Sequence, residues 1–283
     1  MNWKKISKLA LGCFLTGIFM TGCGESPAVV KDSPSTRIGI IYKLNATEEA
    51  LNEQMKKLEE SSRRAGIKLT HYYVYHNGLN EMQMALNAGQ IDEISTYRSV
   101  ANYMAARNSQ LEILDHTVNM FDSFCCAVRS DDKALHGEID AAIQAMNSDG
   151  TLENLVKTYI TDANLNEDPP AVALENFYGA ETIKVGITGD LPPLDLILAN
   201  GQPAGFNTAM ISEIGRRTGR NIELVQIDSN ARASALTSGQ IDVVFWVTVP
   251  DDGGLDKNLD KPDALDTTFP YFRDEIVHVD LKK

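Results

Sequence analysis

The sequence predicts an α/β fold of two similar lobes, each a mostly parallel sheet flanked by helices. Two observations predict it. Apolar, β-branched runs alternate along the chain with segments of helical spacing, which is the pattern of parallel sheets. The segment ALNAGQIDEIST (85–96) also has a near copy, ALTSGQIDVVFW (235–246), and the elements around the two copies follow the same order. The chain therefore carries one helix, turn and strand unit in each lobe.

The first cycle of elements begins with RIGIIYKL (37–44), a β-branched apolar run typical of a strand. The polar step from Asn45 to Glu49, which ends in two acids, indicates the start of a helix. The elements predicted after it are a helix that ends near Arg64, a strand at 67–75, a helix at 79–88, a strand at 91–96, a helix at 98–107 and a strand at 111–114.

The second cycle begins at residue 182 and repeats this order. Its predicted elements are a strand at 182–189, a helix from about Asn207 to Thr218, a strand at 221–227, a helix over ARASALTSG (231–239) and a strand at 241–247. Between the cycles, residues 123–160 predict a strand and two helices that Gly150 separates. Residues 161–181 contain a Pro-Pro step and little periodicity, which indicates a surface connector.

The chain opens with a pattern typical of a secretory signal. Lysines precede the apolar run LALGCFLTGIFM, which leads into the small residues of MTGC (20–23) and is too short for a mature membrane anchor. MTGC resembles a bacterial lipobox with Met20 in place of the usual leucine. This implies cleavage of residues 1–22 and a lipid on Cys23, with cleavage without lipidation as the alternative. Residues 23–36 are polar, as expected of a flexible tether.

Acidic residues dominate the charge of the chain. The formal net charge is −13, and loss of residues 1–22, with three lysines and no acids, makes it −16. A body this acidic argues against nucleic-acid binding, because phosphate contacts need clusters of Lys and Arg. The sequence indicates no cofactor and no metal site.

Two cysteines follow the signal and its cleavage point. Cys125 and Cys126 are adjacent in the apolar run SFCCAVRS. Neighbours on a strand point to opposite faces, and a disulfide between them would distort the strand. We expect buried thiols, with a vicinal disulfide as the alternative.

Several motifs resemble the extracellular solute-binding proteins of ABC transporters, in the family that includes polar amino acid binders (family 3, with the periplasmic binding protein type II fold). Residues 183–219, IKVGITGDLPPLDLILANGQPAGFNTAMISEIGRRTG, are similar to the family's opening strand, Pro-Pro loop and Gly-Phe turn into the first helix. ARASALTSGQIDVVFW (231–246) and TTFPYFRDEIVHV (267–279) resemble the next helix and strand, and the strand that leaves the first lobe. The resemblance implies a two-lobed clamp that binds a solute at its seam, with a membrane permease as partner.

The order of these pieces is unusual for the family, because the material of the second lobe comes first and that of the first lobe comes last. A circular permutation would account for this order, with the family's own ends fused through the connector. Two fragments of a tandem protein, each in need of a partner, are the alternative. The predicted division is a signal at 1–22, a tether at 23–36, a small lobe at 37–115, a crossover and C-terminal part of the large lobe at 116–160, a connector at 161–181 and the large lobe at 182–283.

Ligands of parallel α/β sheets bind at the carboxyl ends of the strands, where loops and helix starts present backbone N–H groups. The side chains at such places are Asp190, Asp195, Asp228, Ser229, Arg232, Trp246 and Thr248 in the large lobe, and Lys43, Asn45, Thr96, Tyr97 and Arg98 in the small lobe. Arg232 can hold a carboxylate through two N–H groups, or can pair with Asp228 instead. Trp246 and Tyr97 would form apolar walls, although Trp246 is also suited to the core.

Two charged anchors of the family's amino-acid binders are absent from this sequence. The Thr-x-x-Arg step that holds the α-carboxylate is replaced by VTVPDDGG (247–254), and the acid that holds the α-ammonium is replaced by Tyr97. We therefore expect either an amino-acid-like solute, held by Arg232 and an acid such as Asp190, or a less charged or aromatic molecule.

We expect a binding protein and no enzyme, because the sequence has no G-x-S-x-G elbow, phosphate-binding glycine loop or H-E-x-x-H motif. An enzyme on the same scaffold and a surface lipoprotein that senses a solute or docks a partner are the alternatives. The expected protein is a lipid-anchored monomer outside the cytoplasm. Its lobes close around the solute, and an ABC transporter permease in the membrane recognises the closed state.

Overall fold

The computed structural model describes residues 35–64, 71–114, 120–248 and 259–282, without the side chains at 61–64 and 246–248. The predicted signal, Cys23 with nearly all of its tether, and most of VTVPDDGG lie outside these described residues. Among the helices of the described ranges, none is long and apolar enough to span a membrane.

The first cycle of elements builds the small lobe. Its elements are strands β1 (Thr36–Ile41), β2 (His71–His76), β3 (Glu93–Tyr97) and β4 (Leu111–Leu114), and helices α1 (Glu48–Arg64), α2 (Leu79–Asn87) and α3 (Arg98–Arg107). Glu48 and Glu49 lie in the first turn of α1, where negative charge is stabilised by the helix dipole. Each element lies within a few residues of its predicted place.

The rest of the described chain builds the large lobe and the strands that lead into and out of it. The strands are β5 (Met120–Arg129), β6 (Thr182–Ile187), β7 (Asp190–Leu191), β8 (Asp195–Ile197), β9 (Pro203–Ala204), β10 (Asn221–Gln226), β11 (Val243–Thr248), β12 (Leu265–Thr267) and β13 (Phe272–Leu281). The helices are α4 (Lys133–Ser148), α5 (Thr151–Val156), α6 (Phe206–Thr218) and α7 (Arg232–Thr237). Strands β7, β8 and β9, which follow β6 in the chain, form a separate antiparallel sheet.

The main sheet has the strand order β10-β6-β11-β5-β13-β3-β1-β2, with β12 beside β5 and β4 beside β13. Strands β10, β6 and β11 are parallel at the large-lobe end, and β3, β1 and β2 are parallel at the small-lobe end. The predicted two-lobed α/β fold is confirmed. The two lobe sheets, which the sequence predicts as separate, are joined into one.

Strands β5 and β13 make this junction, and we call them the hinge strands. They pair antiparallel with each other from Met120↔Ile276 to Phe124↔Phe272. Strand β5 continues along β11 of the large lobe, and β13 continues along β3 of the small lobe. Each hinge strand has ten residues, which is long enough to belong to both lobes. Bending of this pair would change the angle between the lobes.

The repeated GQID sequence has the same structural role in both lobes. The glycine of each copy has a positive φ, 66° and 74°, and ends the preceding helix. The Asp92 carboxylate accepts a hydrogen bond from the N–H of Arg37 (2.8 Å), and the Asp242 carboxylate accepts one from the N–H of Lys184 (3.0 Å). Asp92 therefore ties the start of β3 to β1, and Asp242 ties the start of β11 to β6. Both contacts lie at the edge of the sheet opposite the carboxyl ends of these strands.

One hydrophobic cluster extends through both lobes. It includes Met82 and Ile94 in the small lobe and Phe206 and Ile211 in the large lobe, all fully buried. Phe124 of β5 belongs to the same cluster and links the two parts across the hinge strands. Burial of each such side chain contributes about 2 kcal/mol, so the two lobes share much of their stabilisation.

Cys125 and Cys126 are thiols that form no disulfide, and both are fully buried. Burial raises the pKa of the Cys125 thiol to about 12 and raises the pKa of Cys126 as well. Both side chains are therefore protonated and unreactive at neutral pH. The prediction of buried thiols is confirmed.

The connector at 161–181 runs over the surface of the large lobe. The N–H of Val172 donates to the carbonyl of Pro203 (2.8 Å). The connector also reaches the small lobe, because the Asp168 carboxylate accepts hydrogen bonds from the Tyr103 hydroxyl (2.9 Å) and from Arg107 (2.8 Å). It therefore contacts both lobes outside the sheet.

Candidate functional site

A cavity of about 100 Å³ lies at the seam of the lobes. The small lobe lines it with Tyr42 and Tyr97, which follow or end strands β1 and β3. The large lobe contributes Thr188, which follows β6, and Phe245 of β11, and the hinge strand β5 contributes Phe124. The carboxyl ends of parallel strands from both lobes thus meet at one place, where ligands of such sheets bind.

Aromatic rings form the apolar walls of this cavity. The Tyr97 and Phe124 rings meet edge to face, with their centroids 4.6 Å apart. Phe245 packs edge to face against Tyr271, with the centroids 6.4 Å apart. Burial raises the pKa of the Tyr97 hydroxyl well above its usual range, so this group is neutral. These surfaces suit the apolar or aromatic part of a ligand.

Arg232 bridges the seam at the start of helix α7. Its guanidinium donates to the carbonyl oxygens of Ser229 (3.2 Å) and Phe245 (3.2 Å) in the large lobe, and of Tyr42 (2.6 Å) in the small lobe. A guanidinium carries five N–H groups, so two remain beyond these three bonds for an acceptor atom of a ligand. Burial lowers the pKa of the Arg232 guanidinium, and the negative charge of nearby Asp260 opposes this shift. The guanidinium stays charged at neutral pH because its ordinary pKa is above 12.

Asp195 is the buried acid of the cavity, with 5% of its surface exposed. Its carboxylate accepts hydrogen bonds from the N–H of Gly189 (2.9 Å) and from the Thr188 hydroxyl (3.3 Å). Burial raises the pKa of this carboxyl to about 6, although the bond from Gly189 opposes the shift. Asp195 therefore titrates close to neutral pH and can hold a donor or a cationic group of a ligand.

Further hydrogen bonds join the lobes near the cavity. The Asp190 carboxylate, on β7, accepts from the N–H of Asn80 in the first turn of helix α2 (3.1 Å). The Ser229 hydroxyl donates to the carbonyl of Asn77 in the small lobe (2.6 Å). With the bond from Arg232 to Tyr42, these contacts hold the lobes closed against each other.

Asp260 makes another contact between the lobes, from the segment that precedes β12. One carboxylate oxygen, Oδ1, accepts hydrogen bonds from the N–H groups of Asn45 (2.8 Å) and Ala46 (3.2 Å) in the small lobe. Asp260 is 2% exposed and lines the cavity. Sequence reasoning missed it, because the segment 251–266 contains several aspartates and no pattern distinguishes one of them.

The structure brings some of the predicted site residues together and not others. Those that line the cavity are Lys43, Tyr97, Asp195, Ser229 and Arg232. Asp190 and Asp228 line a more open groove outside it, next to Asn77 and Glu81. Arg232 bonds to carbonyl groups, as described above, and not to Asp228, which was the alternative partner.

The remaining predicted residues lie elsewhere or are not described. Asn45 contributes its backbone N–H to Asp260 and its side-chain amide to the carbonyl of Leu259 (3.4 Å). Thr96 is buried within β3, and Arg98 forms an ion pair with Glu275 of β13 at 2.8 Å. Trp246 and Thr248 are the fourth and last residues of β11, and their side chains lie outside the described part of the chain.

Several further cavity residues were missed from the sequence, Phe124, Phe245, Asn207 and Thr188 among them. Phe124 and Phe245 lie in strands that the periodicity predicts, but periodicity alone does not say which strand face meets the seam. Asn207 at the start of helix α6 and Thr188 after β6 follow strand ends. The rule that strand ends bind ligands could have found these two.

Across the ranges that the structure describes, no group of three or more His, Cys, Asp or Glu side chains is arranged to hold a metal ion.

Comparison with known proteins gives one sequence match. Residues 183–252 match the family model of bacterial extracellular solute-binding proteins, family 3. This segment runs from β6 through β11, and it includes Thr188, Asp195, Arg232 and Phe245 of the cavity. The resemblance predicted from the sequence is confirmed for this segment. No curated protein matches the sequence significantly.

Solved structures with similar folds include the ligand-binding component of an ABC-type import system from Staphylococcus aureus with zinc bound, at 12% identity and a TM-score of 0.45. The alignment covers 88% of this chain and 66% of that one, just under two thirds. The GluR0 ligand-binding core in complex with L-glutamate has 9% identity and a TM-score of 0.38, with coverages of 89% and 86%. The VFT2 domain of Bordetella pertussis BvgS, as a double mutant, has 14% identity and a TM-score of 0.39, with coverages of 88% and 82%. At these levels of similarity the three structures indicate nothing about the ligand of this chain.

Proposed function

We propose that this protein, part of which matches family 3 of the bacterial extracellular solute-binding proteins, captures a small solute between its lobes and delivers it to an ABC transporter permease. The supporting observation is the cavity at the seam. Strand ends of both lobes meet there, and its lining combines aromatic walls with the charged groups Arg232, Lys43, Asp195 and Asp260. Closure of the two lobes would bury a solute among these groups.

The proposed solute is small, polar or aromatic, and amino-acid-like in size. A cavity of about 100 Å³ is below the range of drug-sized binding sites. Two cationic and two acidic side chains line it, so their charges balance when both acids are ionised. A neutral or zwitterionic solute with an apolar part suits such a site better than a strongly charged one.

The proposed activity is binding without turnover. Asp195 has a pKa near 6 and could move a proton, but its carboxylate is already held by Gly189 and Thr188, which suits a fixed acceptor. The closed lobes would then be the signal that the permease recognises.

A thermal-shift screen of amino acids, aromatic acids, short peptides and osmolytes tests this proposal. A solute in large excess over its Kd raises the melting temperature by mass action, and analysis of the recovered solute then shows whether it is unchanged. A stabilising solute recovered intact is the expected result. A chemically altered solute would identify an enzyme, and silence across the panel would favour a lipoprotein that docks a partner.

We also propose that the mature chain is monomeric, lies outside the cytoplasm and is anchored to the membrane by a lipid on Cys23. The supporting pattern is the signal and the MTGC motif at 20–23. Fractionation of cells that express the wild type and Cys23→Ser tests the anchor. The wild type should sediment with membranes and the variant should be released. Identical fractionation of both would contradict the anchor and leave the proposal for the cavity untouched.

A further inference from the structure

A carboxylate of the large lobe takes the place of an N-cap side chain on a helix of the small lobe. Helix α2 follows Gly78, which has no side chain to accept a hydrogen bond from the first N–H groups of the helix. The Asp190 carboxylate accepts one of these bonds instead, from the N–H of Asn80 at 3.1 Å. Its negative charge also lies at the positive end of the helix dipole, which stabilises it. This contact therefore exists only while the lobes are closed.

Gly78 is the residue that lets the carboxylate come this close. Its backbone is extended, with φ at −168°, which any residue adopts without strain. A Cβ atom added at Gly78 would lie 2.8 Å from Oδ1 of Asp190 and closer still to Oδ2, and its three nearest neighbours would all be Asp190 atoms. The glycine is therefore required by the contact between the lobes and not by the turn into helix α2.

The contact lies outside the cavity and uses protein groups alone. Gly78 and Asp190 line the neighbouring groove and not the cavity itself. Beside them the Ser229 hydroxyl of the large lobe donates to the carbonyl of Asn77, at 2.6 Å. Oδ1 of Asp190 is buried and, among the described residues, receives no hydrogen bond, which offsets part of the gain. The contact is therefore suited to open and close reversibly.

We infer that Gly78 and Asp190 form a latch that holds the lobes closed from outside the cavity, so that the affinity for a solute depends partly on a contact that the solute does not touch. Asp190, predicted from the sequence as a ligand-binding residue, is then a positioning residue. The latch itself does not depend on the proposed function, but its effect on affinity rests on that function. Loss of a hydrogen bond to an ionised acceptor should lower the ratio of closed to open molecules by about tenfold or more.

Small-angle X-ray scattering of the protein without added solute tests the latch. Gly78→Ala and Asp190→Ala should each have a larger radius of gyration than the wild type, because both variants lose the contact. The amide resonance of Asn80 should move in both, since its N–H loses its acceptor. Gly137→Ala is the matched control. A Cβ atom at Gly137, in helix α4, meets nothing within 4 Å, so this variant should scatter like the wild type.

The double variant distinguishes a contact between the lobes from a local effect on helix α2. Without the Asp190 carboxylate, a methyl group at position 78 has room. Gly78→Ala should therefore cause no further increase of the radius of gyration when it is added to Asp190→Ala. An equal increase in both backgrounds would show a local effect and reject the latch. A wild-type radius of gyration in both single variants would reject it as well.

Gly78→Ser keeps the test decisive if the alanine variant does not fold. The extended backbone of Gly78 is the conformation that an N-cap residue adopts, so the serine hydroxyl would cap helix α2 itself. The added Cβ atom still lies against the Asp190 carboxylate. Gly78→Ser should therefore fold and still have the larger radius of gyration. A folded serine variant with the scattering of the wild type would contradict the latch.

The outcomes separate this inference from the proposed function. Open scattering of Gly78→Ala and Asp190→Ala, together with silence across the solute panel, would keep the latch and reject solute binding. A solute that binds the wild type, together with wild-type scattering of both variants, would keep the function and reject the latch. Gly78→Ala should weaken all solutes that bind the wild type by the same factor, and unequal losses would contradict the link to affinity.

Discussion

The guanidinium of Arg232 donates to carbonyl groups of both lobes, so this residue affects lobe closure as well as contact with a ligand. We predict that Arg232→Ala weakens the binding of any solute found in the screen by at least about tenfold, because a hydrogen bond to a charged group contributes about 1.5–3 kcal/mol. Acidic solutes should lose more affinity than neutral ones. Isothermal titration calorimetry measures the change.

Arg216→Ala is the control for this prediction. Arg216 is half exposed and pairs with Glu213 on the surface of helix α6. Its removal should leave solute affinity unchanged. Equal affinities of the wild type and Arg232→Ala would exclude Arg232 from closure and from the site.

Asp195 gives the cavity a predicted dependence on pH. Its carboxyl pKa rises from an ordinary 3.8 to about 6, so the folded protein prefers the protonated acid. Asp195 therefore contributes to the free energy of unfolding below pH ~4, where the acid is protonated. This contribution, about 3 kcal/mol for a shift of this size, is lost as the pH rises through 6. Asp195→Asn should remove the contribution of Asp195 to this loss, about 2 kcal/mol of which falls between pH 4.5 and 7.5, and urea unfolding at these two pH values measures it. Asp131→Asn, in an exposed turn, should keep the wild-type slope; the same slope in Asp195→Asn would contradict the assignment.

Some of the cavity residues could be predicted from the sequence and others could not. Tyr97, Asp195 and Arg232 were predicted from their places at strand ends, and the structure puts all three at the cavity. Arg98 satisfied the same rule, but Glu275 of the hinge strand lies within 2.8 Å and pairs with it. That partner is 177 residues away in sequence, so no local pattern indicates the pair. Asp260, besides being one of several aspartates in its segment, likewise has its partner far away, since Asn45 is 215 residues from it in sequence.

At the level of elements, the GQID turn is the feature that the sequence and the structure explain together. The repeat predicted equivalent units, and the structure adds the cause: each aspartate holds the first strand of its lobe through a backbone N–H. We predict that Asp242→Ala lowers the free energy of unfolding by about 1–3 kcal/mol, because it leaves the Lys184 N–H and the Arg129 guanidinium without this acceptor.

Asp92→Ala should have an effect of the same sign, but a smaller one, because the Arg37–Asp92 pair is more exposed. Urea unfolding of both variants checks the comparison, with Glu175→Ala in the exposed connector as control. A change below about 0.5 kcal/mol in Asp242→Ala, typical of surface substitutions, would mean that the turn does not depend on its aspartate.

The pairing of the hinge strands could not be predicted from the sequence. Apolar runs predicted strands near 123 and 271, but periodicity gives neither the partner of a strand nor its register. The pairing of β5 with β13 joins the lobes and buries Asp122 opposite Asp274. Burial raises the pKa of both carboxyls, that of Asp122 to about 6 despite nearby Lys43. Buried acids in a strand contradict the apolar pattern, so no sequence pattern predicts them.

For the whole molecule, the order of the lobes leads to a prediction about connectivity. Strand β3 separates the end of β13 from the start of β1, with Val279 opposite Ile94 and Ile38 beside Glu93. Neighbouring strands lie about 4.8 Å apart, so about 10 Å separates these two strands. A linker of about six residues between 282 and 35 spans this gap.

A chain opened between Glu175 and Asn176, two exposed residues of the connector, and joined by this linker would run from the large lobe into the small lobe and back. We predict a folded monomer with the solute preference of the original. Size-exclusion chromatography, circular dichroism and the thermal-shift screen check it. Failure to fold, or folding only as a dimer, would favour two fragments of a tandem protein over a circular permutation.

The central claim is that a solute binds in the cavity between the lobes. The most direct test is the affinity of a solute from the screen for Phe245→Ala, which removes one wall of the cavity, and for Phe269→Ala, which removes an exposed ring. Circular dichroism should first show that both variants are folded. A loss of at least about tenfold for Phe245→Ala, the size expected from about 1.4 kcal/mol of lost contact, with no change for Phe269→Ala, is the predicted result. Unchanged affinity in both variants would place the solute elsewhere and contradict the claim.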